Sequence, residues 1–167
     1  MKKNLDDLIS LLSESPLFTN QVENLLHIQQ QLQSDELVIS VIGQFKRGKS
    51  SLINAILGAD VLPIGIVPLT SVVTELRSGK TPRACVCYES GKTEEIPLEC
   101  LDHYCSEQYN GSNYKKVRTV QVWTPSFPFG PHIVLADTPG VGSVNESNTA
   151  AATEQLIHSD AIIFVHR

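Results

Sequence analysis

The sequence predicts an α/β fold: a sheet with buried parallel strands, with amphipathic helices ahead of it. Three observations lead there. LVISVIG at 37–43 is a near-continuous apolar, β-branched run ending in glycine, the pattern of a strand buried on both faces. IVLAD at 133–137 and AIIFVHR at 161–167 are two further apolar strand runs. Between them lie helical stretches, the first of which follows a glycine-spaced loop, GQFKRGKS at 43–50.

Taken in order, the elements justify that reading. Residues 4–33 place Leu5, Leu8, Ile9 and Leu12, then Phe18, Val22, Leu25, Leu26 and Leu32, at helical spacing. SESP divides them, so two helices are expected, with Pro16 at a first helical position and Ser15 as its cap. Their apolar stripe packs either on the same domain or on another segment or chain. We set 1–34 apart as a helical, neck-like segment and 35–167 as the α/β domain. KSSLINAIL (49–57) reads as a helix stopped by Gly58. ADVLPIGIVPL (59–69), with two prolines and a glycine, reads as a loop. TSVVTELRSG (70–79) and RACVCYES (83–90) read as strands, the latter turning at Gly91 into EEIPL. Residues 99–114 are polar and give no regular reading. VRTVQVWT (117–124) alternates as a strand does, PSFPFGPH (125–132) is a turn, and NTAAATEQLIHSD (148–160) is a helix.

Composition narrows the function classes. The chain has 167 residues, 41% hydrophobic and 19% charged, enough for one domain with a real core. A net charge of −5 argues against a nucleic-acid surface. No apolar run approaches the roughly 20 residues of a membrane span. Acids follow Lys2 and Lys3 at once, unlike a signal peptide, so a cytoplasmic protein is expected. Cys85 and Cys87 share a strand face, and Cys100 and Cys105 fall in a helical or irregular patch. Neither pair has zinc-ligand spacing, so reduced thiols are expected rather than a metal site.

The chemistry sits in three places. Gly43, Gly48, Lys49 and Ser50 fit G-x-x-x-x-G-K-S between a strand and a helix, the context of a P-loop NTPase. There the glycines let backbone N–H groups turn inward, and the helix start adds its dipole. Lys49 supplies charge to outer phosphates and the Ser50 hydroxyl a ligand for Mg²⁺. The nucleotide-binding stretch is thus Gly43, Gln44, Phe45, Lys46, Arg47, Gly48, Lys49, Ser50 and Ser51. ADTPG follows about 90 residues later. Asp137, at the end of a parallel strand, points into the crevice where α/β sheets bind ligands and can hold Mg²⁺. Gly140 offers an unobstructed N–H to a terminal phosphate. Thr70, in VPLTSVV, can reach the metal when a third phosphate orders its loop, although other Thr residues compete for that role.

GQFKRGKSSLINAILGADVLPIGIVPLTSVVTELRSG and VRTVQVWTPSFPFGPHIVLADTPGVGS resemble the opening of the dynamin superfamily of large GTPases, especially its bacterial dynamin-like members. The helices before the first strand are similar to that family's neck. The resemblance implies a three-layer, Rossmann-like GTPase domain with GTP as substrate and Mg²⁺ as cofactor. It also implies self-association through that domain, and peripheral attachment to and remodelling of membranes by the full-length protein. It identifies Thr70 as the switch threonine. In the related guanylate-binding GTPases an Arg stands where Lys46 does, so Lys46 or Arg47 is a candidate for charge supplied in cis. The family reads guanine with an N/T-K-x-D motif on a later strand and a further loop. This sequence stops at Arg167 before either, so it is expected to cover the first part of a GTPase domain. AIIFV is then expected to end the sheet as an unpaired apolar edge, giving marginal stability, self-association and weak base preference. A P-loop ATPase and a non-catalytic nucleotide- or partner-binding module are the alternatives.

Overall fold

A computed structural model of the chain describes residues 2–33, 36–64, 70–141 and 146–166. It divides into two compact units, Met1–Glu36 and Leu37–Arg167. The 34/35 boundary, the 65–69 stretch of the loop before Thr70, residues 142–145 after the second motif, and Arg167 lie outside the described residues. Among the described residues no helix is long and apolar enough to cross a membrane.

The first unit is a helical hairpin. Helices α1 (Lys2–Ser13) and α2 (Thr19–Gln33) pack on each other, and the Gln29 amide donates to the Asp6 carboxylate. One expectation needs correcting here. Pro16–Phe18 form a single 3-10 turn, and α2 begins only at Thr19. Ser15 is extended and makes no side-chain cap; its carbonyl accepts from the Phe18 N–H at 3.2 Å. Proline has no N–H to leave unpaired, so a tight turn can start there at little cost. Leu8, Leu11, Leu17 and Leu26 remain exposed on this unit.

The second unit is built on a mixed sheet. Its strands are β1 (Leu37–Gly43), β2 (Val73–Ser78), β3 (Arg83–Tyr88), β4 (Thr93–Ile96), β5 (Val117–Thr124), β6 (Ile133–Asp137) and β7 (Ala161–Val165). Their order is β4-β3-β5-β2-β6-β1-β7. Strand β1 runs parallel to both its neighbours, β6 and β7. Strand β2 is antiparallel to β6 and parallel to β5, and β3 is antiparallel to β5 and β4. The apolar runs therefore occupy the parallel part, and the alternating VRTVQVWT the other, where Val120, Val122 and Thr124 are buried between half-buried neighbours. Strand β7 is the edge, as expected from the sequence, with Ile162 52% and Phe164 62% exposed. Strand β2 starts at Val73, so Thr70 precedes it rather than opening it.

Two helices make the outer layers. Helix α3 (Lys49–Leu57) sends Ile53 and Leu57 into a cluster with Val41, Leu76 and Leu135. Helix α5 (Glu146–Ile157) reaches the neighbouring strand residue, with Gln155 Nε2 donating to Ser40 Oγ at 3.3 Å. Adjacent residues of a strand face opposite ways, so α3 and α5 cover opposite faces and the fold has three layers. The stretch without a regular reading forms short turns and α4 (Asp102–Cys105). Its Leu101 and Cys105 are buried in a second cluster with Val86, Val120 and Val122.

Candidate functional site

The loop between β1 and α3 has the geometry its residue types demand. Gly48 caps α3 at φ +85°, a conformation that side chains rarely adopt, and Lys46 is also left-handed at φ 57°. Lys49, the first residue of α3, is only 7% exposed. Its ammonium donates to the carbonyls of Gly43 at 3.2 Å and Gln44 at 3.3 Å. Burial lowers its pKa from the usual lysine value, and the Asp137 carboxylate works against that fall.

Three segments distant in sequence meet beside it. The Ser50 hydroxyl donates to Asp137 Oδ2 at 2.7 Å, and Thr70 Oγ1 lies 3.4 Å from the same oxygen. The two hydroxyl oxygens are 3.5 Å apart. Asp137 is 2% exposed, and its other oxygen, Oδ1, is buried with no hydrogen-bond partner among the described residues. Burial pushes its carboxyl up to about 6, while Ser50, the Lys49 charge and Thr70 hold it down. A buried carboxylate with one oxygen unpaired costs several kcal/mol unless a cation completes it. Two hydroxyls and a carboxylate are hard oxygen donors of the kind Mg²⁺ takes, so the residues fit that ion.

The second motif is locked onto the first. Val141 N–H donates to the Gly43 carbonyl at 3.2 Å, and Gln44 and Val141 form a parallel bridge. The Thr138 hydroxyl donates to the Val41 carbonyl at 2.8 Å. A Cβ on Gly140 would lie 2.7 Å from Phe45 Cα and 2.8 Å from its nitrogen. The missing side chain at 140 is thus needed by the loop's own approach, a reason the sequence does not show. Likewise a Cβ on Gly43 would meet the Val165 carbonyl oxygen at 2.4 Å.

The structure therefore brings together Lys49, Ser50, Thr70 and Asp137, with Gly43 and Gly140 at the contact of the two motifs. Lys46 and Arg47 are exposed and outside that cluster: the Lys46 ammonium lies 5.7 Å from the Phe45 ring centre, and Arg47 donates to Gln44 Oε1 at 3.0 Å. Ser51 is exposed on α3. One supporting residue was missed. Asn54, 4% exposed, accepts from the N–H groups of Val61 and Leu62 and donates to the Leu62 carbonyl at 2.8 Å. It pins the chain leaving α3, and its signal was a polar residue at a core-facing position between Ile53 and Leu57. All four cysteines are free, and among the described residues no three His, Cys, Asp or Glu gather closely enough to hold an ion.

Comparison with known proteins places this geometry. The sequence profile of the Dynamin family matches residues 39–167. An uncharacterized protein in the xynA 3' region of Caldicellulosiruptor sp. (strain Rt8B.4) is 43% identical over 138 residues, covering 83% of this chain and 34% of that protein. Dynamin-like protein 2 of Campylobacter jejuni is 37% identical over 118 residues, 71% of this chain and 19% of its own length. The bacterial dynamin-like protein of Nostoc punctiforme is 25% identical over 156 residues, 87% of this chain and 22% of its own length. A solved structure described as an oligomerised bacterial dynamin pair, with a mechanism for long-range sensing and tethering of membranes, superposes with a TM-score of 0.68 at 28% identity. That match covers 98% of this chain and 26% of the other. The chain thus spans about a third or less of the length of these relatives. With the profile matched across the whole α/β unit from Ile39 onward, the chain belongs to the Dynamin family.

Proposed function

We propose that this chain supplies the phosphate and Mg²⁺ grip of a GTPase whose hydrolysis drives self-association and the remodelling of membranes. One observation carries the reading: Ser50 and Thr70, from two segments, converge on the buried Asp137 carboxylate, whose Oδ1 has no partner among the described residues. Ser50, Thr70 and Asp137 would hold Mg²⁺, which when bound would neutralise charge on the outer phosphates. Lys49 exchanges its two carbonyl partners for phosphate oxygens, trading neutral acceptors for anionic ones. Thr70 orients the attacking water, and the Gly140 N–H meets the terminal phosphate. Lys46 or Arg47, free of the cluster in this state, offsets negative charge developing in the transition state. Self-association through this domain and peripheral membrane contact are supported by the family and by the oligomerised, membrane-tethering relative. The absence of nucleic-acid partners fits the net charge of −5.

Mg²⁺-dependent phosphate release from GTP and from ATP, in the full-length protein, tests the proposal. Thr70→Ala should abolish GTP turnover while GDP affinity stays within about 2-fold, because the contact belongs to the triphosphate state. ATP turned over as fast as GTP makes the protein an ATPase. Nucleotide binding without release leaves a binding module.

A further inference from the structure

Three hydroxyls crowd the start of β2: Thr70, Ser71 and Thr74. The family resemblance singles out Thr70 but says nothing of the other two, and the structure sends each to a different partner. Thr70 faces Asp137 and Ser50. Ser71 turns the other way, and both its N–H and its hydroxyl donate to the Cys105 carbonyl, at 2.7 and 3.1 Å. Thr74 donates to Cys105 Sγ at 3.3 Å. Ser71 and Cys105 are each 3% exposed and Thr74 is 1% exposed, so water does not compete for these contacts.

We infer that Ser71 is a positioning residue that sets Thr70, with the last turn of α4 as its anchor; this rests on the reading of Thr70 as the switch threonine. The anchor is firm. Cys105 N–H donates to the Leu101 carbonyl at 2.9 Å, and Leu101, 2% exposed, is in the same core cluster as Cys105 and Val72. Thr70 is set less firmly. Its oxygen stands 3.4 and 3.5 Å from its two polar neighbours, at the long end of the hydrogen-bond range. A hydroxyl so placed makes or misses its contact on a shift of a few tenths of an ångström. The adjacent residue, held at two points to one carbonyl, fixes which occurs. A role for α4 in the site was invisible in the sequence, since it lies between β4 and β5, about 35 residues from Thr70.

The test uses the full-length protein, with Thr70→Ala and wild type measured alongside. Ser71→Ala keeps the N–H tie but loses the hydroxyl. It should lower kcat by about 10-fold with little change in KM, because misplacement of a catalytic group acts on turnover. It should also lose the preference for a non-hydrolysable GTP analogue over GDP, as Thr70→Ala does. Ser71→Thr, which keeps the hydroxyl, should restore both. A purely structural role would lower melting temperature and the fraction of binding-competent protein, leaving kcat per bound nucleotide unchanged. If Ser71→Ala does not fold, Ser71→Cys replaces the donor with a weak one at similar volume and should show the same loss. Wild-type kcat and analogue preference in a folded Ser71→Ala or Ser71→Cys, beside an inactive Thr70→Ala, overturns this inference alone. Wild-type turnover in Thr70→Ala overturns the reading of Thr70 beneath it.

Discussion

At the scale of single residues, burial decides what each polar group can do. Lys49 is held by two backbone carbonyls and desolvated by burial, with the Asp137 carboxylate opposing the fall in its pKa, so it gains from a better anion. Lys49→Ala should weaken GTP binding roughly 10- to 100-fold, the value of one charge-assisted contact of about 1.5–3 kcal/mol. Titration calorimetry showing equal affinity would remove Lys49 from the grip. Cys105 shows burial acting as the leading cause. Desolvation pushes its thiol up to about 12, with the Thr74 hydrogen bond opposing and the Asp137 and Asp102 charges adding to the rise. The folded state thus keeps a proton that the unfolded chain gives up near 9, so this group's contribution to stability is intact below that pH and is lost as pH rises toward 12. At pH 8 only roughly one folded Cys105 in 10,000 is thiolate. Iodoacetamide should therefore leave Cys105 unmodified in native protein and label it in urea, as read by mass spectrometry. Rapid native labelling contradicts its buried placement.

At the scale of elements, β7 carries two roles that pull apart. Its end packs on the phosphate loop, where Val165 and Gly43 are in backbone contact. Its outer edge presents Ile162 and Phe164 to solvent. An apolar, unpaired edge recruits other strands, and a charge placed on it discourages them. Phe164→Lys in the 1–167 chain should reduce self-association in sedimentation velocity without weakening nucleotide binding. The same sedimentation profile for both chains means that association runs through another surface. Helix α3 is the counterpart: Ser50 faces the site at one end, and Asn54 fixes the chain beyond the other.

At the scale of the whole molecule, the chain is two compact units, and every residue of the proposed grip belongs to Leu37–Arg167. Residues 37–167 alone should therefore bind GTP with the affinity of the 1–167 chain, within about 2-fold by calorimetry. A large loss would assign the helical hairpin a part in the grip. The three-layer arrangement puts the grip where an open α/β sheet gathers ligands, at the C-terminal ends of the parallel strands β1 and β6.

The sequence by itself determined the parallel core and pointed to the main residues of the proposed grip, because both are written locally. LVISVIG and IVLAD are apolar enough to be strands only if both faces are covered, and GQFKRGKS, between a strand and a helix, has the glycines and lysine of a phosphate loop. The tertiary structure alone decided what depends on long-range contact. It fixed the antiparallel pairing of β2 with β6, which brings Thr74 opposite Asp137. It gave Gly140 its second reason, the Phe45 backbone. It gave Ser71 and Thr74 a partner in Cys105, apart from Thr70, and it found in residues 98–106 an anchor where the sequence offered no period to read. A hydroxyl carries no mark of its partner in its own sequence neighbourhood; only the packed fold, by leaving one acceptor within reach of each, assigns it.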